Sequence, residues 1–330
     1  MKKRIAIPLI LMMMFSVLAG CAGQANNSTG ATAGNQQGSS DGKPKVTVVL
    51  MELSAQYFKF MEAGAKAAFQ EFGVDGKVIA PSNQSQVIEQ VNMIETALNE
   101  KPDALVLMPS QPESALPVLR KYKQKGIPVL LIDTDVPNWK DKTSYIGTNN
   151  DEAGYTAAQL VAKQLNKGDK VAILEGIAGT YASETRIAGA KRGLTEAGLE
   201  IAVSQSADWD RVKATSVMEN ILQAHPDVKA VVAANDEMAL GAVRATEAKG
   251  LKIPVVGVDG IIEAVESVNK GILFGSVAQK PYDMGYLGVK NALAAIKGEP
   301  VEQRIDSGLD TITKENAEAK LKDLKAKLGQ

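Results

Sequence analysis

The chain predicts an α/β fold in two similar lobes, each a doubly wound parallel sheet, and three observations carry that expectation. Short β-branched runs alternate with amphipathic helical stretches, the alternation restarts after Asn149, and the strand ends carry residues that a core would not choose. In the first series, Lys45–Met51, Lys77–Ala80, Ala104–Met108 and Val129–Asp133 are near-continuous apolar runs, as strands buried on both faces require. Between them Val87, Val91, Ile94 and Leu98 mark one helical stripe, and Ala115, Leu116, Leu119 and Tyr122 another. Gly126 and Pro128 end that second helix and start the next strand. The second series has strands near Lys170–Glu175, Ile201–Ser206, Lys229–Ala234, Pro254–Asp259 and Leu273–Ala278, with a helix at Arg211–Ala224. Repeated β-α-β units impose right-handed crossovers, and two successive series favour two lobes over a single barrel.

Ahead of the first strand the chain is of another kind. Lys2, Lys3 and Arg4 precede an apolar stretch, Ile5 to Leu18, that is too short to span a bilayer comfortably. Leu18-Ala19-Gly20-Cys21 closes it, and Cys21 is the only cysteine. A basic start, a short apolar segment and small residues at a cleavage point make a secretory signal, expected over residues 1–20. A cysteine directly after the small residues resembles a bacterial lipoprotein signal, in which the thiol is acylated. The expected location is therefore outside the cytoplasmic membrane, with the lipid on its outer face or in the periplasm. Residues 22–43 are Gly, Ala, Ser, Thr, Asn and Gln with almost nothing apolar, so residues 21–43 read as a lipidated tether. Such a coil reaches about 25 Å.

Composition removes several function classes. A formal net charge of -1, more negative once Lys2, Lys3 and Arg4 leave, offers no basic footprint for nucleic acid. With Cys21 acylated there is neither a disulfide nor a cysteine metal ligand. The one histidine lies in His225-Pro226-Asp227, between a helix end and a strand start, on the edge away from a crevice. Glu52-Leu53-Ser54-Ala55-Gln56 after the first strand has no Gly-x-Gly-x-x-Gly turn, and no Walker phosphate loop occurs. Asp133 and Asp135, one residue apart without clustered partners, are weak evidence for a metal. No cofactor, no metal and no catalytic residue is expected.

What remains is recognition. In open parallel sheets, ligands bind beyond the carboxyl ends of the strands. Asp133 follows one apolar run, Asn235, Asp259 and Gln279 follow three others, Trp209 comes soon after a fourth, and the first strand leads to Tyr57 and Phe58. An Asx residue at a strand-to-helix junction is also an ordinary helix cap, and for any one position both readings stand. Asp236, after Asn235, reads as the cap of its helix. Asp, Asn, Gln and Arg can each form paired hydrogen bonds to vicinal hydroxyls, and flat aromatic faces suit the C–H face of a sugar ring.

Taken together these residues resemble the ribose-type periplasmic sugar-binding proteins of ABC importers. The resemblance runs in order from Pro44 to about Lys314. It is densest at Gly176-Ile177-Ala178-Gly179-Thr180 followed by Arg186, at Ala207-Asp208-Trp209-Asp210-Arg211, at Ala224-His225-Pro226-Asp227, at Asn235-Asp236-Glu237-Met238-Ala239-Leu240-Gly241-Ala242 and at Val256-Gly257-Val258-Asp259-Gly260. It implies the type I fold of that family: two lobes joined by three hinge crossings, near Thr148–Asn149, Gln279–Pro281 and Gly308. The lobes are then residues 44–148 with 280–308, and 149–279 with 309–330. It also implies ligand contacts from Arg186, Asn235, Asp259 and Gln279, with Trp209 as a stacking aromatic, and from Tyr57, Phe58 and Asp133 in the first lobe. The first lobe departs from the pattern: Thr134 stands where ribose binders have arginine, and Ala55 and Met108 stand where they have asparagine. Thr134, Asp135 or Glu52 are the candidates for replacement contacts. The implied function is a monomeric, lipid-anchored protein that captures a ribose-like pentose or related hexose or polyol and presents it to a membrane permease. The alternative is a sensor for a sugar-like signal, such as a furanone-type autoinducer or inositol, feeding a receptor kinase or chemoreceptor.

Overall fold

A computed structural model describes residues 42–329. The expected signal segment, Cys21 and all of the tether but its last two residues lie outside that range. The first sheet is built from β1 (Lys45–Val49), β2 (Asp75–Ile79), β3 (Ala104–Leu107), β4 (Val129–Ile132) and β5 (Ser144–Gly147), interleaved with α1 (Gln56–Phe72), α2 (Val87–Asn99) and α3 (Pro112–Gln124). The second uses β6 (Lys170–Glu175), β7 (Glu200–Ser206), β8 (Val228–Ala233), β9 (Val255–Asp259) and β10 (Gly275–Ala278). Its helices are α4 (Asn150–Ala162), α5 (Tyr181–Glu196), α6 (Arg211–Ala224), α7 (Asp236–Ala248) and α8 (Ile262–Asn269). The chain then returns through α9 (Pro281–Ile296) and β11 (Arg304–Asp306) to the first sheet, and ends in β12 (Asp310–Ile312) and α10 (Ala317–Lys327) on the second.

Strand order is β11-β5-β4-β3-β1-β2 in one sheet and β12-β10-β9-β8-β6-β7 in the other, the same topology twice. Each sheet reverses its winding beside its first strand, between β1 and β3 and between β6 and β8, which opens a crevice at the carboxyl ends. The first sheet is parallel throughout, whereas β12 runs antiparallel to β10. That edge strand departs from the parallel expectation: β12 follows β11 of the first sheet after three residues and joins the second sheet antiparallel to β10. β5, β11 and β12 carry no sequence signal strong enough to read, being three or four residues long and containing Ser144, Arg304, Asp306 and Asp310. Three links pass between the sheets, at residues 148–149, 279–280 and 307–309.

The central strands are buried as their apolar runs require, and β3, β4 and β5 have no exposed position. β2, read from Lys77–Ala80 as buried on both faces, is only half-buried because it lies at the edge of its sheet, as does the half-buried β7. In α2 the expected stripe holds at Ile94 and Leu98, but Val87 and Val91 are only half-buried. Gln90 takes the inward place instead, where its amide donates to the Leu50 and Met108 carbonyls and accepts from the Ser110 N–H. A buried glutamine is tolerated there because every strong donor and acceptor it carries is engaged.

In both lobes two helices cross at glycine. A Cβ on Gly64 of α1 would overlap the Tyr282 carbonyl, and one on Gly285 of α9 would overlap that of Met61. In the second lobe, a Cβ on Gly154 of α4 would meet the Arg186 carbonyl of α5, and one on Gly189 that of Asp151.

Candidate functional site

The carboxyl ends of the two sheets meet around Gln279, the first residue of the second crossing. Its side-chain Nε2 donates to Asp259 Oδ1 at 2.7 Å, and its Oε1 accepts from the Thr148 hydroxyl at 2.6 Å. The Tyr57 hydroxyl donates to Asp133 Oδ1 at 2.5 Å and lies 3.3 Å from Gln279 Oε1. On the far side Arg186 approaches Asp259, with Nη1 3.8 Å from Oδ1. A polar chain thus runs from Asp133 in the first lobe to Arg186 in the second. The lobes also touch directly, since the Gln56 side chain accepts from the Ile262 N–H at 2.6 Å and Phe60 packs into the second-lobe core. A narrow cavity between them is lined by Tyr57, Phe60, Asp259, Gly260, Ile261 and Gln279, among others.

Backbone strain marks the same rim. Among the described residues five non-glycine residues adopt positive φ, and four lie at or just beyond strand ends: Asp133 (+61°), Asp208 (+55°), Trp209 (+64°) and Asp259 (+133°), the last residue of β9. Holding such residues in sparsely populated conformations costs about 1–3 kcal/mol each and persists where surrounding structure fixes them. Here that structure includes the Tyr145 hydroxyl on the Asp133 carbonyl, at 2.7 Å, and the Trp209 indole seated on Gly176, where a Cβ would overlap it.

Arg186 is almost fully buried and tightly held. Its Nε and Nη2 donate to Asn150 Oδ1 at 3.2 and 2.6 Å, and Nη1 donates to the Ala234 carbonyl at 2.5 Å. The guanidinium carbon lies 5.5 Å from the centre of the Trp209 ring, a cation–π distance. Asn235 is the N-cap of α7: its Oδ1 accepts from the Met238 N–H at 2.9 Å, while Nδ2 lies 3.4 Å from the Trp209 carbonyl. The cap expected at Asp236 is therefore corrected to Asn235. Asp236 is instead fully buried and ties the second sheet to α7, accepting from the Gly260 and Ile261 N–H groups and from the Ser276 hydroxyl.

The remaining first-lobe candidates divide. Thr134 donates its hydroxyl to Asp133 Oδ2 at 3.0 Å. Phe58 meets Tyr57 edge-to-face at 5.7 Å, with its ring in the first-lobe core. Asp135 is committed elsewhere, to Lys142 at 2.7 Å and the Val136 N–H, and Glu52 receives the Ser54 hydroxyl. Thr148 and Asn150 escape sequence reading, because a Thr and an Asn at the start of a helix look like ordinary caps. The geometric cap of α4 is Asn149.

Electrostatics follow burial. Desolvation pushes the Asp259 carboxyl well above the usual range; Arg186 pulls it down, and buried Asp236 pushes it further up. Burial likewise raises Asp133, against the hydrogen bonds from Tyr57 and Thr134. It also raises the Tyr57 phenol, assisted by Asp133. Tyr57 therefore remains protonated. Among the described residues no three His, Cys, Asp or Glu side chains gather as a metal site, and no helix is long and apolar enough to cross a membrane.

Comparison with known proteins agrees with this geometry. The periplasmic binding protein domain matches residues 46–300. The chain is 34% identical to the ribose import binding protein RbsB of Bacillus subtilis (strain 168) over 257 residues, covering 78% of this chain and 83% of that one. It superimposes with a TM-score of 0.80, at 30% identity, on an ABC transporter periplasmic solute binding protein from Actinobacillus succinogenes 130z with bound D-allose, covering 84% of this chain and all of that one. The corresponding TM-score is 0.79, at 28% identity, for an ABC transporter solute binding protein from Bacillus halodurans C-125 with bound myo-inositol, covering 86% of this chain and 99% of the other. Two six-stranded sheets of one topology, joined by three links with a polar cleft between them, place the chain in the periplasmic binding protein family, a family of binding proteins rather than enzymes.

Proposed function

We propose that this chain is an extracytoplasmic, lipid-anchored solute-binding protein of an ABC importer, taking a monosaccharide or related polyol between its lobes. The observation that carries this reading is the polar chain Asp133–Tyr57–Gln279–Asp259–Arg186, drawn from both sheets and from one crossing. The ribose, allose and myo-inositol named for its relatives belong to one chemical class, small neutral molecules rich in hydroxyls. Tyr57, Phe58, Asp133, Thr134, Arg186, Trp209, Asn235, Asp259 and Gln279 are the proposed contacts. The lobes, residues 44–148 with 280–308 and 149–279 with 309–330, would close about the three links. Ligand favours the closed form because only that form completes both half-sites. A micromolar dissociation constant corresponds to about -8 kcal/mol, within reach of several charge-assisted hydrogen bonds and one stacked ring.

A thermal-shift screen against pentoses, hexoses, deoxy sugars, polyols and inositols tests the reading, since a ligand stabilises by mass action. At least one member is expected to raise the unfolding midpoint in proportion to the logarithm of its concentration; a flat response across the panel overturns the assignment. For the anchor, Cys21→Ser is expected to move the protein from the membrane to the soluble fraction, and retention at the membrane contradicts lipidation.

A further inference from the structure

One face of α1 leaves its own lobe. Gln56 opens the helix, and Phe60 lies one turn further along the same face. Phe58, Met61, Ala65 and Phe69 of this helix pack in the first-lobe core, whereas the Phe60 ring is buried in that of the second. With Ile261, Tyr282 and Leu324 it lines the narrow cavity beside the second crossing. Gln56 reaches the same place. Three successive N–H groups follow Asp259: Asp236 accepts from Gly260 and Ile261, and Gln56 Oε1 accepts from Ile262 at 2.6 Å. Ile262 opens α8, whose N-cap residue Ile261 makes no side-chain cap. The opposite lobe therefore supplies an acceptor that the start of this helix requires.

We propose that Gln56 and Phe60 are positioning residues of the cleft, clasping the two lobes together without touching the ligand. This rests on the reading that a solute is taken between the lobes. Neither contact needs a guest, because the acceptor, the donor and the buried ring all belong to the chain. Opening the cleft withdraws Gln56 from Ile262 and brings the Phe60 ring toward water, so the clasp favours closure in the empty protein. It also ends on the segment that follows Asp259, a residue held at φ +133° where it meets Gln279 and Arg186. Ligand then binds in proportion to the fraction of molecules already closed, and a weaker clasp lowers the apparent affinity by the same factor as that fraction.

The experiment reads the separation of the lobes directly. Spin labels at Ile88→Cys and Val212→Cys, two strongly exposed positions with one on each lobe, are placed in the Cys21→Ser chain. Their distance distribution is then recorded without ligand. Gln56→Met keeps the length of the side chain and removes its oxygen, so the variant should fold. It is expected to lower the ratio of short to long distances about threefold to tenfold, the worth of one hydrogen bond. Phe60→Ala should shift that ratio further, since a whole ring loses its burial. In titration calorimetry every ligand found in the screen should weaken by one common factor, equal to the loss of closed fraction in the empty protein. The proposal is overturned if the empty parent shows only the long distance, or if Gln56→Met leaves the distances unchanged. It is overturned too if the loss of affinity differs from ligand to ligand, as it would for a side chain that touches them. Failure of every sugar or polyol to bind would bring down the functional reading, while the distances in the empty protein would still decide the clasp.

Discussion

The two lobes share one strand order and one way of crossing helices at glycine, yet they support the cleft differently. In the second lobe the helix crossing and the site are the same place, because Gly154 packs against the carbonyl of Arg186 itself. Arg186 also fastens Asn150 and Ala234, so the residue aimed at Asp259 is part of the lobe's framework. In the first lobe the crossing of Gly64 and Gly285 lies two turns along α1 from Tyr57, and the site side chains hold mainly one another. One wall is built into the fold and the other is mounted upon it. Duplicated architecture therefore does not imply duplicated sensitivity to substitution.

Substitutions can break that contrast. The largest effect is expected for Arg186→Ala, which should abolish ligand binding and also destabilise the empty protein by about 3 kcal/mol, since it leaves Asn150 and the Ala234 carbonyl unpaired. Loss of binding with an unchanged unfolding midpoint would mean that the guanidinium is a ligand contact only. Gly154→Ala and Gly285→Ala should each cost about 1–3 kcal/mol from overpacking. Only Gly154→Ala should also weaken binding tenfold or more, because it displaces Arg186; equal affinities in calorimetry would refute the coupling. Gln90→Leu in the first lobe, which orphans two carbonyls and one N–H, should cost about 2 kcal/mol in denaturant unfolding and leave affinity near that of the parent.

The smallest effect concerns pH. Asp259 is raised in the folded state by burial, so the folded protein binds more protons than the unfolded chain above the ordinary aspartate value near about 4. Its contribution is therefore complete at acid pH and is lost as pH rises toward the raised value. The unfolding midpoint of Asp259→Asn relative to the parent should climb steadily from mildly acidic to mildly alkaline pH without ligand. A difference that falls or stays level would show that Asp259 is not raised.

Much of the fold was legible because strands buried on both faces must be apolar throughout, and because Gly126 and Pro128 can be read as punctuation. The helix Arg211–Ala224 was read to its last residue. The candidate site was legible where a polar residue interrupts an apolar run, as at Asp133 and Asp259. It was illegible where the same residue type does ordinary local work. Asn235 caps α7, Asp236 is a buried tie to the second sheet, and Thr148 and Asn150 act on Gln279 and Arg186 from 131 and 36 residues away.

The sequence alone determined the α/β class, the restart after Asn149 and the polar strand ends, since periodicity and burial act over a few neighbouring residues. Tertiary structure decided which strand ends face one another and which hydroxyl gives its hydrogen to Asp133. It also decided that Asp135 turns away to Lys142. Hydrogen bonds and ion pairs form over about 3 Å between atoms far apart in the chain, and no local pattern encodes that geometry.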